Sequence, residues 1–215
     1  MNAALPLISA VLLAAPSVAS GASLSYLFTL RQVTCGEQAL HADTQTDDWS
    51  AGLSIPAAGK DTGSSASQRS SPGRDSIHVV SSATGDAFRA SSFFIVRFSL
   101  DEPAVVTLTG SLMFIGATGT SCISLVNLAH PEESVINEII IAPPAASETR
   151  SLHMTRALEA GTYYLDAMVY GGGDGTPAVA GLEMVFSIPE PAGLLPAAGA
   201  LTCLLRRRRS GSFSL

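Results

Sequence analysis

Four histidines, 18 carboxylates and three cysteines are the residues with which this chain could do acid–base, metal or nucleophilic chemistry, and their spacing supports little of it. His41, His78, His130 and His153 stand far apart, and none pairs with another His or a Cys at metal-ligand spacing, so no zinc centre is expected. The chain has no Gly-x-Ser-x-Gly elbow, no His-Glu-x-x-His and no phosphate-cradling Gly-Lys-Ser/Thr loop. Asp43, Asp47 and Asp48 form one acidic cluster, and Asp174 lies in the glycine-rich run 171–175. Calcium favours such oxygen-rich loops, yet EF-hand spacing fails, because Asp48 takes the glycine position and Ser54 the final glutamate position. Glu132 and Glu133 follow Pro131 and read as a solvated loop rather than a glycosidase pair. No cofactor and no metal is expected, and the chain reads as a non-enzyme. Cys35 and Cys122 are the candidates for a disulfide, which would close a long loop; the alternative is two buried thiols that never meet.

The one motif with directional meaning lies at the far end. Pro189, Glu190 and Pro191 precede an uncharged apolar run, 192–205, which ends at Arg206, Arg207, Arg208 and Arg209. The run is 14 residues long, so as a helix at 1.5 Å per residue it covers roughly 21 Å, short of a hydrocarbon core of about 30 Å. Pro196, Gly193 and Gly199 weaken it further. Such a segment suits a transient anchor better than a permanent span. The guanidinium groups hold their end on the cytoplasmic side, which sets Pro189-Glu190-Pro191 at the outer face of the inner membrane, extended and short of donors.

This arrangement resembles the PEP-CTERM sorting domain of Gram-negative bacteria, over residues 188–209, with residues 210–215 as a tail. The resemblance implies an exosortase as processing partner, a membrane-embedded, cysteine transpeptidase-like enzyme that reads Pro189, Glu190 and Pro191, with Arg206–Arg209 setting topology. It also implies association with extracellular polysaccharide or biofilm matrix. Two rival tails fit less well. A sortase-like pentapeptide at 195–199 would lie inside its own span, and a GPI signal has neither the basic end nor the proline-bracketed spacer. An ordinary tail anchor with a positive stop remains the plain alternative.

The front end agrees with export. Residues 3–18 are apolar apart from Ser9 and Ser17, and small residues at 17–22 offer cleavage after Ala19 or Ala22. Residues 1–22 therefore read as a signal peptide, although no Lys or Arg precedes Arg31. A precursor held in the inner membrane, then released to the cell surface or extracellular matrix, is the expected course. Four of the 12 basic residues belong to the terminal arginine run, leaving eight against 18 acidic ones. That acidic balance argues against nucleic acid and anionic lipid as partners.

Between the two ends, residues 23–187 suffice for one domain with its own core. Period-2 alternation marks strands near 24–33, 76–81, 92–100, 104–110, 112–115, 122–128, 135–141, 149–158, 162–170 and 178–188. No sustained 3.6 period appears. Residues 159–161 and 171–175 read as hairpin turns. The string Leu158, two residues, Gly161, one residue, Tyr163 resembles the closing hairpin of jelly-roll domains in bacterial exported proteins. The expected fold is all-β, an antiparallel, jelly-roll-like sandwich. Residues 36–75, and above all the Ser/Gly/Ala-rich stretch at 57–75, read as a mobile insertion between the first two strands. Trp49, the only tryptophan, reads as a core plug before a sugar-stacking surface residue. A second function class stays open beside the sorted envelope protein: a carbohydrate-binding module using Tyr26, Trp49, Tyr163, Tyr164 and Tyr170. A hydrolase on the same scaffold would need carboxylates or Ser/His converging in one cleft.

Overall fold

Alternating burial organises the whole body into strands. A computed structural model describes residues 22–43, 47–56, 63–86, 88–141, 146–173 and 175–188. The signal peptide expected over 1–22, the motif Pro189, Glu190 and Pro191, the apolar run 192–205, Arg206–Arg209 and the tail 210–215 lie outside the described residues, Ala22 and Ile188 apart. The strands are β1 (Leu24–Cys35), β2 (Gln38–Ala42), β3 (Trp49–Ile55), β4 (Ser64–Pro72), β5 (Ser76–Gly85), β6 (Ala90–Leu100), β7 (Ala104–Gly116), β8 (Gly119–Asn127), β9 (Ser134–Ile141), β10 (Ala146–Leu158), β11 (Gly161–Gly171) and β12 (Ala178–Ser187). They form two six-stranded antiparallel sheets, β2-β1-β6-β11-β8-β9 and β10-β7-β12-β5-β4-β3, with no helix among the described residues. The body is thus an all-β, antiparallel two-sheet sandwich.

The core fills the space between the sheets. Phe94, Val96, Phe98, Tyr163, Leu165 and Val169 from the first sheet face Ile77, Val79, Leu108, Leu112, Phe114, Met184 and Phe186 from the second, all buried. Phe98 lies 5.7 Å from Tyr163 and 5.6 Å from Phe186, centroid to centroid, so one ring ties β6 and β11 to β12 across the layers.

Three expectations are corrected. The stretch 36–75 is not one mobile insertion: it contains β2, β3 and β4, and β4 occupies 64–72 of the supposed loop. Its inward set is Ser64, Ala66, Gln68, Ser70 and Pro72, small or polar residues that carry no hydrophobic alternation. They sit in a strand because partners satisfy them. Gln68 donates through Nε2 to Ser92 Oγ (2.9 Å) and to the Phe93 carbonyl (2.8 Å), and Ser92 Oγ donates to Ser81 Oγ (3.0 Å). With fully buried Arg31 and Thr29 of β1, this makes a polar layer at the β4 end of the sandwich. Second, 159–161 and 171–175 are not hairpin turns. β10 pairs with β7 and β12 with β5 and β7 in the second sheet, whereas β11 pairs with β6 and β8 in the first, so both connections cross between the layers. Third, 104–110 and 112–115 are one strand, β7. Gly110 stays inside it at φ 147° because a Cβ there would meet the Glu183 carbonyl oxygen at 2.0 Å.

The first and last strands share an anchor. The Leu24 amide donates to the Arg74 carbonyl (3.2 Å) and the Ile188 amide to the Asp75 carbonyl (2.8 Å). Both ends of the described body therefore leave from the same β4–β5 turn.

Candidate functional site

The polar surface with most chemistry lies over β3, β4 and β5, at one edge of the second sheet. β3 is the edge strand, and its antiparallel pairing sets Ser50 opposite Arg69 and Arg69 opposite Val80; one step along, Ser71 lies opposite His78. Period-2 geometry then puts Ser50, Arg69, His78 and Val80 on the outer face, where all four are exposed. Asp48, just before β3, accepts a 2.5 Å hydrogen bond from Ser71 Oγ, which folds the chain entry back over the strand ends. Trp49 is half-buried and packs against the core. Together these residues line a cavity of about 800 Å³.

Asp48 accepts from the Ser71 hydroxyl, and among the described residues no histidine is hydrogen-bonded to that pair to complete the series of nucleophile, base and orienting group used in nucleophilic catalysis. Among the described residues the side chains of Arg69 and His78 make no hydrogen bond and no ion pair. Beneath the same edge, burial lowers the pKa of Arg31, while Asp47 and Asp48, and then Tyr26, favour its charged form; a guanidinium stays protonated regardless.

The other residues singled out from the sequence scatter. Tyr26 donates its hydroxyl to the Gly73 carbonyl at 2.6 Å, and burial, then the Asp75 charge, raise its pKa. Tyr163 is buried, its hydroxyl donating to the Glu159 carbonyl at 2.8 Å. Neither is a ligand surface. Tyr164 and Tyr170 lie on the outer face of β11, half-buried, with the Arg89 guanidinium 4.3 Å above the Tyr170 ring. Cys35 and Cys122 are both buried and free: the candidate disulfide is absent. Cys35 lies on the inner side of β1 and Cys122 opposite Met168 on β8, so the sheet geometry points them apart. Burial pushes the Cys122 thiol up to about 11, with the Asp166 charge adding to it, and burial raises the Cys35 thiol as well. Neither is a thiolate near neutral pH. His41, His130 and His153 are exposed on separate elements, and His130 Nδ1 lies 3.7 Å from Glu132. Among the described residues no three His, Cys, Asp or Glu side chains gather around one point. Asp174 lies outside the described residues.

Sequence reasoning missed Arg69 and His78 as site members and missed Asp166. Asp166 projects from β11 between Ile95 and Ser124. Its Oδ1 is covered and makes no hydrogen bond among the described residues, and burial raises its pKa. Only the pairing of strands could have found these residues.

No family model and no curated protein matches the chain. Among solved structures it is similar to the CBM22-1 xylan-binding domain from Paenibacillus barcinonensis Xyn10C, at TM-score 0.27 and 11% identity over 68% of this chain and 97% of that one. It is also similar to the tailspike protein 4 enzymatically active domain of bacteriophage CBA120, at TM-score 0.24 and 12% identity over 79% of this chain and 20% of that one. A third likeness, to infectious bursal disease virus of the Gt strain, has TM-score 0.25 and 11% identity over 78% and 58%. At these values the likenesses carry no argument about what this chain does. Among the described residues no helix is long and apolar enough to cross a membrane.

Proposed function

We propose that the chain is a non-enzymatic, exported β-sandwich protein delivered to the cell envelope or extracellular matrix by its C-terminal signal, and associated there with exopolysaccharide. The observation that carries the reading is the ordered triad of Pro189-Glu190-Pro191, apolar run and four arginines, opposite an export-type leader. The fold is compatible with it. Leu24 and Ile188 both dock on the Arg74–Asp75 turn, so the two ends of the described body lie at one pole of the sandwich. An exosortase-type enzyme would cut near Glu190 while the arginines stay in the cytoplasm.

The test is Glu190→Ala in the native host, followed by intact mass of the protein in membrane and medium. The wild type should lose both ends; the variant should keep its tail and stay in the membrane. Processing of the variant at the normal rate, or full-length protein in the cytosol, would end the proposal.

A second reading, a carbohydrate-binding module, is favoured by one feature: the cavity at the β3–β4–β5 edge, which sets the apolar Val80 beside Ser50, Asp48 and Arg69. Sites for sugars are of this kind, apolar on one side with a few fixed polar groups.

A further inference from the structure

We propose that the cavity beside Trp49 binds an anionic sugar, a uronic-acid residue of a polysaccharide. This rests on the carbohydrate-binding reading and adds the ligand's charge. The body as a whole is acidic, and such a field repels anions. The cavity is the local exception. Its floor carries the Arg69 guanidinium with no carboxylate at ion-pairing distance among the described residues, and the His78 imidazole from the neighbouring strand likewise has no partner. An arginine fork presents parallel donors that match a planar carboxylate.

The rest of the lining suits a pyranose ring. Val80 supplies apolar wall, while Ser50 and Ser71 supply hydroxyls. The Asp48 carboxylate already accepts from Ser71 Oγ; its remaining lone pairs are acceptors for ring hydroxyls. Asp48 also works against a ligand carboxylate on its own side. The two polar ends of the cavity thereby impose an orientation: the acid group toward Arg69 and His78, the hydroxyl edge toward Asp48. A neutral sugar would leave the guanidinium unpaired, and a simple carboxylate would leave the hydroxyls and Asp48 unused.

The full chain, held in non-ionic detergent, can be titrated calorimetrically with trigalacturonate, cellotriose and a short poly-glutamate, alongside Arg69→Gln. Arg69 is exposed on an outer sheet face, so the variant should melt with the wild type. Trigalacturonate should bind at least tenfold more tightly than either other probe, and weaken as salt rises. Arg69→Gln should lose about 10–100-fold for trigalacturonate, as expected for a charge-assisted pair. Equal affinity of variant and wild type overturns the proposal. Cellotriose binding as tightly as trigalacturonate overturns the anionic assignment but leaves the carbohydrate reading standing. Poly-glutamate binding as tightly shows a carboxylate site that does not read sugar, and overturns it too. Binding of no probe defeats this proposal and the carbohydrate reading together.

Discussion

Gln68→Ala separates a structured β4 from a loop. The side chain is buried and bridges the sheets, donating at 2.9 Å to Ser92 Oγ and 2.8 Å to the Phe93 carbonyl. Two net hydrogen bonds are worth about 1–3 kcal/mol, and a buried carbonyl left without its donor costs about 1–3 kcal/mol more. Against this, Gln68 Oε1 is itself covered and without a partner, so the substitution removes one liability. The balance is a loss of about 2–4 kcal/mol, a sizeable share of the roughly 5–15 kcal/mol that holds a domain folded. Trp49 lies opposite Ser70 on the adjoining strand, so its fluorescence reports the edge directly. Urea unfolding followed by that signal and by far-ultraviolet dichroism should give coincident transitions, shifted to lower urea with the slope unchanged. A residue in a mobile insertion would change stability by less than about 0.5 kcal/mol. That result, or amides of 64–72 exchanging at solvent rates, would refute the reasoning.

Asp166→Asn should stabilise the protein at pH 7 by about 1 kcal/mol, since it removes a partly buried charge without a hydrogen bond at Oδ1. Burial raises the folded-state pKa above the unfolded one, so the native form binds more protons and stability falls as pH rises from near 4 through the folded value. The gain should therefore vanish at pH 3, and a gain equal at pH 3 and pH 7 in thermal melts would contradict this account. Gly110→Ala should cost at least about 3 kcal/mol, because its φ of 147° and the Glu183 carbonyl at 2.0 Å exclude a Cβ. Gly181→Ala, where the nearest atom is the flexible Met113 tip at 3.1 Å, should cost under about 1 kcal/mol, and equal losses in denaturant titrations would show that the Gly110 contact is not the cause. All three cysteines should alkylate in denaturant without reductant, by intact mass, and reductant should leave the melting temperature unchanged; an adduct count lower by two would restore a Cys35–Cys122 bridge.

Strands were legible where one face is apolar. β6 and β12 alternate Phe94, Val96, Phe98 and Ala180, Leu182, Met184, Phe186 inward, and the hydrophobic period locates them within two or three residues. β4 has the same alternation in burial but writes it with Ser64, Gln68 and Ser70. A hydropathy pattern cannot register a strand whose inner face is satisfied by hydrogen bonds, so the sequence there resembles a linker. The turns failed for a different reason. A Gly-rich break between two strands says that the chain reverses, not whether the next strand joins the same sheet; for β10, β11 and β12 it changes sheet twice.

Site residues were harder because the cavity is a product of register. Asp48 and Trp49 attracted notice as an aromatic beside acids, whereas Arg69 and His78 lie 20 and 29 positions beyond Trp49 and join them only through the β3–β4 and β4–β5 ladders. A slip of one residue in β4 would turn Arg69 inward and put Gln68 and Ser70 on the surface. The polar interior layer therefore fixes the outer face: Gln68 bound to Ser92 and Phe93 is what holds Arg69 pointing into the cavity. Gln68 and Arg69 should accordingly be coupled. A Gln68 variant that still folds should lose trigalacturonate affinity in proportion to its loss of order in β4, although Gln68 touches no ligand; unchanged affinity in a variant destabilised by 2 kcal/mol or more, about the lower bound expected from its hydrogen bonds, would show that the register is held by something else.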